Sequence, residues 1–139
     1  MELTAIALQT VEANQNVLFT ETAIGGNCSI IHRDGSGLVT LRGLTRQARA
    51  RFRISFGANV ALPTGAEVAP ISLGIELNGE PVTSATMISS PAAVEEFNNV
   101  FGSVFVEVPS GCCLQASIGN IGTGAVEIQN ANLIIERVA

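Results

Sequence analysis

The sequence predicts an all-β domain, a two-sheet antiparallel jelly-roll sandwich, and three observations carry that expectation. Short runs alternating apolar and polar residues recur from end to end, and glycine, proline and asparagine punctuate them at short intervals. No amphipathic stretch of ten or more residues reads as a helix. About eight to ten such runs, with connections of up to about twelve residues, suit a jelly roll better than an up-and-down barrel. At 139 residues the chain is one domain, 1–139, long enough to bury a core without disulfides or metals.

The first informative stretch is CSIIHRDGSGLVTLRG, residues 28–43, which holds the only histidine, His32, and the only aspartate, Asp34. A cysteine nucleophile at Cys28 would need His32 within hydrogen-bond reach. Residues four apart on a strand are about 13 Å from each other, so the pair fails as a catalytic unit. Asp34-Gly35-Ser36-Gly37 instead supplies what a tight turn requires, and a hairpin is expected.

In ARFRISF, residues 50–56, Ala50, Phe52, Ile54 and Phe56 alternate with Arg51, Arg53 and Ser55, which predicts a strand with one polar or ion-paired face. ISLGIEL, residues 71–77, predicts a strand with Ile71, Leu73, Ile75 and Leu77 inward, turned by Asn78-Gly79. Ser90-Pro91-Ala92-Ala93 offers an N-cap and a proline at the first helical position, so a turn or two of helix is expected there as a connector.

Two later strands are apolar on both faces. Val100, Val104, Val106 and Val108 oppose Phe101 and Phe105, and Leu133 and Ile135 oppose Ile134 and Val138. In a small sandwich the second face must lie against something else; a second copy of the chain is the economical candidate, and a covering loop of the same chain is the alternative. Phe101, Phe105, Leu133 and Ile135 are therefore the expected interface residues.

Composition points the same way. Charged residues are 14% of the chain, against a typical quarter, while apolar residues are 47%. All seven basic residues are arginine, which suits an ion-paired interface better than lysine does. Six of them against Asp34 give +5 across residues 33–53 and leave −10 elsewhere. Arg51 and Arg53, inside a strand, are expected to form the buried ion pairs with glutamates of a neighbouring subunit or a particle surface. The net charge of −5 argues against nucleic acid as a partner.

Other chemistry is not expected. A phosphate loop needs a lysine and the chain has none. One histidine with Cys28, Cys112 and Cys113 lacks the paired spacing of a zinc site, so neither metal nor cofactor is expected. No run approaches the ~20 apolar residues that span a bilayer, and MELTAIALQTVEAN lacks a basic start before an apolar segment. Neither a membrane anchor nor a cleaved signal is expected.

GSGLVTLRG, ARFRISFGANVAL, ISLGIELNGEPV, FVEVPSGCCLQASIGN and NANLIIERVA resemble, in order and spacing, the trimeric jelly-roll domains related to tumour necrosis factor and the complement globular head. The bacterial and phage versions, found as filament tips and small virion proteins, are the nearest in pattern. The resemblance implies a homotrimer, with Phe101 and Phe105 in a seam role that family members often give to tryptophan or tyrosine. It implies a non-enzymatic structural protein that decorates or stabilises a bacteriophage particle. The partners would be itself and a capsid or other virion protein, and the place the virion, assembled in the bacterial cytoplasm. The alternative is a receptor- or glycan-binding tip of a phage fibre or bacterial surface filament. The absence of tryptophan and tyrosine counts against sugar stacking.

Overall fold

The computed structural model describes residues 1–26, 28–43, 49–111 and 113–139. Arg46 and Cys112 lie outside them. The described residues form strands joined by turns, with one 3-10 turn at Thr83–Ala85 and no α-helix.

One sheet runs β10 (Asn98–Pro109), β6 (Arg49–Ala61), β12 (Val126–Arg137), β1 (Glu2–Ala5), β3 (Glu21–Ile24), with β2 (Gln9–Val11) also pairing β12. The other runs β4 (Ile30–His32), β5 (Val39–Arg42), β11 (Cys113–Asn120), β7 (Ile71–Leu77), β8 (Glu80–Pro81), and β9 (Met87–Ser89) pairs β7 as well. Every pairing is antiparallel. The chain is an all-β sandwich of two antiparallel sheets with the order of a jelly roll.

Twelve strands are seen among the described residues, more than expected, because two edges are broken. Residues 6–8 interrupt the row that β1 and β2 make along β12. Opposite that break β12 shifts register between Gln129 and Asn132, and Asn130 takes a φ of 56°. The extra residue of this bulge is one that tolerates the left-handed region.

Alternation decides which side chains meet between the sheets. Phe52, Ile54, Phe56 and Val60 of β6 are buried against Leu73, Ile75, Leu41 and Ile118 of the other sheet, with Phe19 joining them. Phe19 and Phe56 pack edge to face, ring centroids 6.2 Å apart. The hairpin expected at 28–43 is present: Ile30, Ile31 and His32 pair with Leu41, Thr40 and Val39, and Gly35 turns at φ 92°. Asn78 and Gly79 turn β7 into β8 with φ values of 51° and 84°.

The helical turn expected at Ser90–Ala93 does not form. Proline and serine can start a helix, but no apolar face follows to dock it, and the segment runs as bends into β10.

The strands give the sandwich two poles. Met1 lies against Ile135, whose N–H donates to the Met1 carbonyl at 2.9 Å, and the Arg51 N–H donates to the Ala139 carbonyl at 3.1 Å. Both ends of the chain thus occupy one pole. Loops 12–16, 62–70, 90–97 and 121–125 make the other.

Candidate functional site

The outer face of the β10–β6–β12 sheet carries the most unusual surface. β10 is the edge strand, and its outward positions alternate through Phe101, Ser103, Phe105 and Glu107. Phe101 is 67% and Phe105 62% exposed; Ile134 at 40% and Val138 at 44% extend the apolar area onto β12 and the chain end. Phe101 stands opposite Gly57, which leaves room for its ring, and Phe105 stands opposite Arg53.

Charge on this face is matched within the chain. Arg49 Nη1 donates to Glu107 Oε2 at 2.7 Å and Arg51 Nη2 to Glu107 Oε1 at 3.1 Å. Those two bonds, Arg49's first, hold the Glu107 carboxyl below its ordinary range. Arg53 pairs with Glu136 of β12. The result is a row of ion pairs flanking Phe105, with Arg51, Phe105, Glu107 and Val138 lining one shallow groove. Farther along, the Ser55 and Ser103 hydroxyls lie 2.9 Å apart, and Asn99 Nδ2 donates to Asn59 Oδ1 at 3.3 Å.

Two expectations need correcting. Leu133 and Ile135, expected at an interface, are 1% and 0% exposed. They stand opposite Phe56 and Ile54 of β6 and fill the chain's own core, so β12 turns its other face, Ile134, outward. Arg51 and Arg53, expected to form buried pairs with another subunit or a particle, pair with Glu107 and Glu136 of their own chain and are about half-exposed. Alternation showed that both strands are apolar on both faces. It held no signal for which face closes the sandwich, nor for the register that brings the glutamates to the arginines.

The histidine is structural. Its side chain is fully buried beside Phe19, and its Nε2 lies 2.9 Å from the Ser36 carbonyl, which only accepts, so Nε2 carries the proton. Nδ1 is buried and has no hydrogen-bond partner among the described residues; Asp34 Oδ1, 3.8 Å away, accepts instead from Thr22 Oγ1 at 2.7 Å. Cys28, in the turn before β4, and Cys113, at the start of β11, are both exposed, and among the described residues no three histidine, cysteine or acidic side chains are placed to share a metal ion.

Compared with known proteins, the chain matches no family model and no curated protein. Among solved structures it is similar to the globular domain of a zebrafish complement 1qA protein, with a TM-score of 0.62 at 10% identity, over 96% of this chain and 93% of that one. It also aligns with the C-terminal domain of EclA, described as a sugar-binding protein, at a TM-score of 0.42 and 16% identity over 95% of this chain and 80% of that one. A Podospora anserina GH26-CBM35 β-(1,4)-mannanase aligns at a TM-score of 0.35 and 17% identity, over 95% of this chain and 28% of that chain. The first likeness shows the fold alone: a two-sheet jelly roll similar to that globular domain.

Proposed function

We propose that the chain is a non-enzymatic knob that assembles as a homotrimer through the outer face of the β10–β6–β12 sheet and decorates or stabilises a virion. The observation that carries the self-association is the pair of exposed rings, Phe101 and Phe105, on the edge strand. Full burial of a phenylalanine removes about 150–250 Å² from water, so two rings about two-thirds exposed offer roughly 5–8 kcal/mol per subunit. Association costs about 4–15 kcal/mol, so the rings need the rest of the face with them. Ile134 and Val138 add apolar area, and the arginines arrive already neutralised by Glu107 and Glu136, so burying them leaves fewer unpaired charges.

A catalytic role has no support in the side-chain geometry, since His32 is spent on the Ser36 carbonyl inside the sandwich. A low share of charged residues and the absence of tryptophan and tyrosine favour a packing role on a particle over sugar stacking at a receptor tip. Sedimentation at micromolar concentration tests the assembly: a mass of three times the 14.4 kDa chain is expected, and a monomer overturns the proposal. Co-sedimentation with purified particles lacking the protein tests the decorating role.

A further inference from the structure

A cleft of about 270 Å³ opens at the pole opposite the chain ends, between loops 62–70 and 121–125. Leu62, Pro63, Ala66, Ile71, Ala125 and Val126 give it apolar walls, and among the described residues Glu67 is the one charged side chain lining it. Its walls are held before anything binds. Asn120, itself buried, donates through Nδ2 to the Val11 and Gly124 carbonyls at 3.0 and 2.8 Å and accepts from the Gly122 N–H at 3.0 Å. On the other side the Glu95 N–H donates to the Leu62 carbonyl at 2.9 Å, and Thr64 Oγ1 bonds the Glu95 carboxylate. A preformed cleft loses little entropy when it is filled.

We infer that this cleft is a docking site for a segment of a partner polypeptide that carries arginine or lysine beside a small apolar side chain. The volume is just below the roughly 300–1,000 Å³ of small-molecule pockets and suits one or two side chains. With Asn120 committed to the fold, recognition falls to apolar contact and charge. The charge is one-sided: Glu12, Glu67, Glu95 and Glu96 stand on the loops of this pole, and those loops hold no basic residue. The described arginines other than Arg33, namely Arg42, Arg49, Arg51, Arg53 and Arg137, stand toward the opposite pole. The cleft's pole is thus acidic with no matching cation on its loops, while Arg49, Arg51 and Arg53 at the other pole are matched by Glu107 and Glu136, which draws a basic segment to the cleft and repels an acidic one. The inference does not rest on the homotrimer, because the cleft is separate from the outer sheet face.

The test is an NMR titration of the full chain with two blocked tripeptide amides, arginine–valine–arginine and glutamate–valine–glutamate. Saturable shifts at Ala66, Thr123 and Ala125 are expected with the first peptide alone, and raising salt from about 50 to about 500 mM weakens its binding at least about threefold. Glu67→Gln, an exposed change, weakens it by a similar factor, and Ala125→Leu, which narrows the cleft, abolishes it. Shifts that are absent, equal for both peptides or confined to the outer sheet face overturn the inference. So do concentration-dependent shifts without peptide, which give the cleft to another copy of the chain.

Discussion

Glu76 lays its carboxylate across Gly119, two residues beyond its register partner Ser117 on β11, in the space a β-carbon at 119 would take. Partial burial pushes the Glu76 pKa above its ordinary 4.5. From pH 4.5 up to the raised value the folded chain holds more protons than the unfolded one, so this group's contribution to stability falls as pH rises through that window. Glu76→Gln therefore raises the Tm at pH 7, by at most about 0.5 kcal/mol in stability, and flattens that slope. Gly119→Ala has the same effect on the slope by swinging Glu76 into water. Melting curves from pH 4 to pH 8 check both variants, and an unchanged slope in Glu76→Gln refutes the assignment.

Phe105 and Ile135 lie on opposite sides of one sheet and must respond differently. Phe105→Asp leaves monomer stability within about 0.5 kcal/mol but dissociates the assembly, because it removes a ring from the seam and adds a carboxylate beside arginines that Glu107 and Glu136 already neutralise. Ile135→Ala opens a cavity in the core and costs about 2–5 kcal/mol of fold stability. Urea unfolding and sedimentation, run on both, separate the two faces.

Removing the carboxylate that Arg49 and Arg51 share exposes two like charges to each other. Glu107→Gln is expected to raise the dissociation constant of the assembly at least about tenfold while leaving the isolated fold intact. Because Arg49 and Arg51 depress the Glu107 pKa, its contribution is complete above 4.5 and is lost as pH falls through the depressed value. Fold stability of the wild type thus falls in acid slightly more than that of the variant, and melting curves recorded from pH 7 down to pH 3 check the difference.

His32→Ala removes the donor to the Ser36 carbonyl and leaves a void beside Phe19. A loss of about 1–3 kcal/mol is expected, with hydrogen exchange accelerated in residues 33–38. Fold stability unchanged in this variant would contradict the structural role.

Much of the fold was legible in local pattern. The Phe52, Ile54, Phe56 alternation marked the inner face of β6, and Asn78-Gly79 and Asp34-Gly35 marked turns by the backbone angles those residues tolerate. What failed was non-local. Whether Ile134 or Leu133 faces the core depends on where β12 pairs with β6, and a strand apolar on both sides carries no trace of that choice. The partners of Arg49 and Arg51 come from a strand more than fifty residues away, so only the β10–β6 register reveals Glu107. The cleft at the pole opposite the chain ends left a weaker trace still: its loops hold alanine, proline and glycine, which read as plain turns until Asn120 ties them together.

Because Met1 and Ala139 sit beside neighbouring strands at one pole, the polypeptide is nearly a closed ring. A short linker could join the ends, and new ends could be cut at residues 91–94, in a loop of the opposite pole that does not line the cleft, without severing a strand. Such a rearranged chain would present any fused cargo beside the acidic cleft instead of away from it, so the same sandwich serves as a carrier that can be loaded from either side.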